Sequence, residues 1–174
     1  NHEFDYGMDR FFELVDMADF PYVSANFIDL ATGETLLEPY TILTFNGVNV
    51  AFVGVSTPTT ITTSTPTFFQ DADGNFIYGF GQANGSDAFY AIIQAAIDAA
   101  IADGADYVVA LSHLGIDAST SPYTSSELIE ATTGIDVVID GHSHSTIECE
   151  RVKNKTGERV LLTQTGTKLS SVGL

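Results

Sequence analysis

Residues 86–113 read SDAFYAIIQAAIDAAIADGADYVVALSH, and this stretch decides the fold. Phe89, Ile93, Ala96, Ile97, Ala100 and Ile101 recur at helical spacing and form one apolar stripe. Ser86 or Asp87 suits the helix start, and Gly104 stops it in a left-handed turn. The run Tyr107-Val108-Val109-Ala110-Leu111 follows at once, apolar throughout like a strand covered on both faces, and ends in Ser112-His113. The order then repeats: a short helix near 126–131, a buried strand Val137-Val138-Ile139, and the polar run Asp140-Gly141-His142-Ser143-His144. This alternation predicts an α/β fold around a largely parallel sheet. Ligands of such sheets gather beyond the carboxyl ends of the strands, where both histidine-bearing turns fall.

Working outward, Asn46-Gly47 between Thr41–Phe45 and Val48–Val55 predicts a hairpin whose second strand is apolar almost throughout. Met8, Phe11, Phe12, Val15 and Ala18 predict a first helix, and Tyr22–Phe27 a short strand after Pro21. Residues 56–86, rich in Thr, Ser, Gly and Pro, predict a long loop bordering a site. Beyond the second histidine turn, Ile147–Val152 and Val160–Thr163 predict an antiparallel pair around Asn154–Gly157, and the residues at 174 the start of a further strand.

The chain has 174 residues with 44% hydrophobic and 17% charged side chains, the composition of one folded domain. Its net charge of −17 is uneven: residues 1–150 hold one base, Arg10, against 22 acids, and residues 151–174 hold five bases against Glu158. That balance argues against nucleic acid polymers and anionic membrane surfaces as partners unless metal ions intervene. Cys149 is alone, which excludes an internal disulfide and the cysteine pairs of a structural zinc site. No apolar run is long enough for a membrane span, and no signal peptide is visible.

Imidazole suits Zn, Mn, Fe or Co, and His113 with His142 and His144 follow neighbouring strands, so their rings converge above one sheet edge. Asp140 either bonds the far nitrogen of a ligating ring or serves as a strand-end acid. Tyr6, Phe27 and Tyr123 read as core or rim aromatics in preference to a base clamp.

Asn1-His2-Glu3, Ser24-Ala25-Asn26-Phe27, Gly54-Val55-Ser56-Thr57-Pro58, Ala110–Gly115, Ile139–His144 and Thr163-Gln164-Thr165-Gly166 occur in an order that resembles the calcineurin-like metallophosphoesterases. The resemblance covers nearly the whole chain and narrows to the secreted 5′-nucleotidase and UDP-sugar hydrolase branch. It implies a sandwich of two mixed β-sheets flanked by helices. Two divalent ions (Zn, Mn, Co or Fe) are implied, with Asn1, His113 and His142 on one and His144 reaching the other. His2 is implied as the catalytic histidine that donates to the phosphoryl and leaving oxygens, held in its tautomer by Asp5.

The family's first strands carry Asp-x-His and Gly-Asp motifs that this sequence does not contain. Residues 1–174 are therefore expected to be a partial catalytic domain, without the metal-binding strands that precede and the nucleoside-binding domain that follows. The parent protein is expected to hydrolyse nucleotide phosphoesters, and the fragment alone to be inactive or nearly so with a partial or empty site. UDP-sugar or 2′,3′-cyclic nucleotide hydrolysis is the alternative substrate class, and a non-catalytic binding or scaffold module the alternative kind of protein. The missing strands are expected to bare a sheet edge and apolar side chains around Val50–Val55, giving self-association or retention of a cleaved amino-terminal piece. The family resemblance further implies an extracellular or cell-surface bacterial location.

Overall fold

A computed structural model describes residues 1–173. Helix α1 (Met8–Met17) is followed by β1 (Ile28–Asp29), the hairpin strands β2 (Tyr40–Phe45) and β3 (Val48–Ser56), the short helix α2 (Thr60–Thr63) and β4 (Tyr78–Gly79). Helix α3 (Gly85–Ala102), β5 (Tyr107–His113), α4 (Ser125–Ala131), β6 (Val137–Asp140), β7 (Thr146–Lys153) and β8 (Arg159–Thr165) complete the order. Strands β2-β3-β5-β6-β8-β7 form one six-stranded mixed sheet, with β3, β5, β6 and β8 parallel and the two edge strands antiparallel. The α/β class and the mixed sheet are as the sequence predicts. The second sheet of the expected sandwich is, among the described residues, the antiparallel ribbon of β1 and β4.

Alternation along the strands sorts their side chains onto two faces. Val53, Ala110, Val138 and Leu162 stand in one row across the parallel strands, fully buried with Phe89, Ile93 and Ile97 of α3 and Leu128 and Ile129 of α4 in one core. The small Ala96 and Ala100 belong to that core, whereas Ile101 of the expected stripe is partly exposed. Helix α4 begins with a reciprocal cap, in which the Thr124 hydroxyl accepts from the Glu127 amide and the Glu127 carboxylate accepts from the Thr124 amide. The adjacent row on the opposite face is open: Leu111 is 38% exposed and Ile139 45%. The expectation of bare side chains at Val50–Val55 is corrected on this point. Ala51, Val53 and Val55 face the helices and are buried, and the uncovered face lies one residue out of phase with them.

A second core of Phe4, Phe11, Phe27, Phe69 and Phe80 gathers the amino-terminal turn, α1 and the long loop. Phe27 stacks on Phe80 with ring centroids 5.1 Å apart, so it is a core residue. Residues 22–27 do not form the expected strand; only Val23 bridges Glu38. The segment instead crosses β3, where the Ala25 amide donates to the Gly54 carbonyl at 2.9 Å. A Cβ on Gly54 would lie 2.0 Å from the Val23 carbonyl oxygen, so only glycine admits the crossing. The strand expected to begin at residue 174 lies outside the described residues.

Candidate active site

Parallel registry brings the functional turns to one sheet edge. Ser56 at the end of β3 pairs with His113 at the end of β5, and β6 ends at Asp140, level with Gln164 of β8. The turn after β6 holds His142 and His144 at φ of 78° and 56°, a positive-φ conformation uncommon for residues other than glycine and frequent near functional sites. Gly141 lets the His113 ring approach, since a Cβ there would sit 2.9 Å from its Nδ1.

Asp140 does not take up the far nitrogen of a ligating ring. Its Oδ1 accepts from the Leu114 and Gly115 amides, both at 3.2 Å, and its Oδ2 from Gln164 Nε2 at 3.0 Å. It is a buried strand-end acid that ties the two histidine turns together. Gln164, 2% exposed, also accepts from the Ser145 amide at 2.6 Å and donates to the Gly141 carbonyl at 3.2 Å. The sequence offered the Gln164 motif without a role for it; its burial gives one.

The amino-terminal turn His2–Phe4 is held by Phe4 in the aromatic core and leaves its polar residues outside. Asn1 Oδ1 accepts from His113 Nε2 at 2.8 Å, and the His113 and His142 rings lie 5.2 Å apart between centroids. His144 lines the same concavity, together with Asn1, His2, Glu3, His113 and His142. His2 Nδ1 meets Asp5 Oδ2 at 2.8 Å on the exposed rim. The structure thus sets Asn1 against His113 and His113 beside His142, places His144 on the same wall, and pairs His2 with Asp5.

Three hydroxyls from the long loop reach these residues. Thr59 Oγ1 lies 3.3 Å from His142 Nε2, Thr63 Oγ1 accepts from Asn1 Nδ2 at 2.8 Å, and Ser64 Oγ donates to Asp5 Oδ1 at 2.8 Å. Sequence reasoning assigned that loop to a site border but singled out none of the three, because a Thr-rich stretch gives no signal of which hydroxyl points where.

Electrostatics favour neutral rings. Burial, with His142 nearby, lowers His113 to about 4, and burial likewise lowers His142. Asp5 is held below the usual carboxylate value by the Ser64 and His2 hydrogen bonds. Among the described residues no three His, Cys, Asp or Glu side chains converge as a complete metal cage. The donors that do converge are neutral imidazole rings and an amide oxygen, a set that fits part of a shell for a borderline divalent ion once the His113 Nε2 proton is released. A cavity of about 400 Å³ runs beneath them between the aromatic core and the open face of the sheet, lined by His113, Leu111 and Ile139. Thr60 also lines it, fully buried and with no partner for its hydroxyl oxygen. An orphaned buried hydroxyl beside the ligand cluster is what a site awaiting a further polar group would leave.

The fold is that of the calcineurin-like phosphoesterases, and the sequence is similar to 5′-nucleotidases and nucleotide phosphoesterases. The chain belongs to the family described as bacterial capsule synthesis protein PGA_cap, whose model matches residues 1–157. A 5′-nucleotidase of Vibrio parahaemolyticus is 38% identical over 73 residues, 42% of this chain and 13% of that protein. The trifunctional nucleotide phosphoesterase protein YfkN of Bacillus subtilis is 32% identical over 160 residues, 83% of this chain and 10% of that protein. The crystal structure of the calcineurin-like phosphoesterase YfkN from Bacillus subtilis superposes with a TM-score of 0.66 at 29% identity, covering 83% of this chain and 43% of that one. The chain therefore spans about a tenth of the length of these curated relatives.

Proposed function

We propose that the protein carrying this chain hydrolyses nucleotide phosphoesters, with 5′-mononucleotides as the substrate class and two divalent ions as cofactors. The observation that carries the reading is the meeting of Asn1, His113 and His142 at the strand ends with the His2–Asp5 pair beside them. In it, Asn1, His113 and His142 hold one ion and His144 reaches the second. Bound there, divalent ions supply charge neutralisation for phosphoryl oxygens and an acidified water. His2 does the rest from its own position: Asp5 accepts from Nδ1–H, which leaves Nε2 facing outward, and in the imidazolium form of the ring the Nε2 proton is the one given to the phosphoryl and leaving oxygens. Its rim position keeps that proton outside the ligand cluster. Asp140 and Gln164 keep the two histidine turns in register while this happens.

Residues 1–174 then act as part of a catalytic domain, and the cavity with the orphaned Thr60 hydroxyl receives the segment that completes the shell. The metal identity follows the same donor set, with Zn, Mn, Co and Fe all compatible. A bacterial extracellular or cell-surface location accompanies the 5′-nucleotidase reading, and no helix of the described residues is long and apolar enough to cross a membrane. UDP-sugars or 2′,3′-cyclic nucleotides are the alternative substrates of the same chemistry. The family description supports a second reading, a role in capsule synthesis without nucleotide turnover.

The deciding experiment assays the full-length protein with Mn²⁺ against AMP, UDP-glucose and 2′,3′-cyclic AMP, alongside His2→Ala. Hydrolysis of AMP with kcat lowered by about 10²-fold or more in H2A supports the proposal. Preference for the cyclic diester moves the substrate class, and two-metal binding without any ester turnover favours the second reading.

A further inference from the structure

Asn1, Asp5 and His142 come from different turns, yet one short stretch, Thr59–Ser64, touches all three. That stretch is itself firmly seated. Thr60 is fully buried, Ile61 packs on the aromatic core, and the Thr63 and Ser64 amides donate to the Thr59 and Thr60 carbonyls at 2.8 and 2.9 Å.

The direction of each hydroxyl bond carries information. Thr63 Oγ1 donates its single proton to the Thr59 carbonyl at 3.0 Å, so toward Asn1 it has only lone pairs to offer. It accepts from Asn1 Nδ2, and the amide oxygen is left facing His113. An amide turned the other way would set its oxygen against a hydroxyl with no proton to give and its NH₂ against the histidine cluster. Ser64 does the complementary work. It donates to Asp5 Oδ1 while Oδ2 takes the His2 ring, so both carboxylate oxygens are held and the carboxylate cannot rotate away from His2.

We propose that Thr63 and Ser64 are positioning residues: Thr63 fixes the Asn1 amide with its oxygen toward the ligand position, and Ser64 locks the Asp5 carboxylate that aims His2. The inference rests on the roles proposed above for Asn1 and His2. The signatures of the two hydroxyls differ. Loss of the Thr63 hydroxyl frees the amide and weakens metal binding. Loss of the Ser64 hydroxyl loosens His2 and slows leaving-group departure, with metal binding intact.

The test uses the full-length protein and its variants Thr63→Val, Thr63→Ser, Ser64→Ala, Asn1→Ala and His2→Ala. Mn²⁺ affinity is measured by calorimetry, and kcat and KM with AMP and with p-nitrophenyl phosphate. Thr63 is exposed and Ser64 half-buried, and circular dichroism verifies folding. T63V is expected to weaken Mn²⁺ binding by about 10-fold, with T63S restoring it. S64A is expected to lower kcat for AMP by about 10-fold at unchanged KM and Mn²⁺ affinity, with a smaller loss for p-nitrophenyl phosphate, whose leaving group needs no proton. If N1A weakens Mn²⁺ binding and T63V does not, the Thr63 assignment is overturned. If H2A is inactive on AMP and S64A equals the wild type, the Ser64 assignment is overturned. If N1A and H2A both match the wild type, the underlying site reading falls and this inference with it.

Discussion

At the residue scale the site works by holding groups in states that water would not favour. His113 is the clearest case: burial holds it at about 4 against an ordinary 6.5. Between those values the unfolded chain binds a proton that the folded ring refuses, so folding stability is complete above about pH 6.5 and falls as pH drops toward 4. The full shift converts to about 3 kcal/mol, and solvent screening of a partly accessible ring reduces it to about 2. Urea unfolding in EDTA at pH 7 and pH 4.5 should show that loss for the wild type and a clearly smaller one for His113→Gln. An equal slope in both would show that His113 is not the group responsible. The same ring depends on a missing atom next door. Gly141→Ala would place a methyl 2.9 Å from His113 Nδ1, and the ring must shift to admit it, which disturbs the 2.8 Å contact of its Nε2 with Asn1. We expect about 10-fold weaker Mn²⁺ binding by the full-length protein with no change in far-UV circular dichroism; unaltered affinity would contradict a ligand role for this ring.

At the scale of elements, regular periodicity was readable and irregular backbone was not. The stripe on α3, the run of β5 and the Asn46-Gly47 hairpin appear where the spacing of apolar residues puts them, because each forms through its own local pattern. Residues 22–27 carry the same apolar density but become a crossing segment, since their partner is the bare backbone of Gly54, far away in sequence. The histidine turns were legible as strand ends, whereas the left-handed φ of His142 and His144 was not, because nothing local in Gly-His-Ser-His demands it. What enforces it is tertiary: Gln164 reaches from β8 into the turn between β6 and β7 and satisfies Ser145 and Asp140 at once. Gln164→Leu keeps the bulk but removes its bonds to Ser143, Ser145, Asp140 and the Gly141 carbonyl, leaving a buried carboxylate one donor short. A cost of about 2 kcal/mol follows, together with faster hydrogen exchange at residues 141–145 than in β5. Exchange in that turn at the wild-type rate would mean that the turn holds its shape without Gln164.

At the scale of the molecule, the sheet is sealed on one side and open on the other. Leu111 and Ile139 occupy adjacent parallel strands on the open face, over a cavity wide enough to admit more chain. Burying them against a second copy gains hydrophobic free energy, at about 25 cal/mol per Å² of apolar surface. The net charge of −17 acts in the opposite sense, because two such molecules repel each other. Salt separates the two effects: it screens the repulsion over a Debye length of about 10 Å at 0.1 M and leaves apolar burial in place. The 174-residue chain is therefore expected to shift from monomer toward dimer between 20 and 500 mM NaCl in light scattering. Leu111→Thr with Ile139→Thr should hold it monomeric across that range. Charge pairing between the basic residues 151–168 and the acidic remainder would give the opposite trend, with association strongest at low salt and indifferent to the two threonines. A clean monomer at every salt concentration would show instead that the open face is too small, or too well hydrated, to drive association.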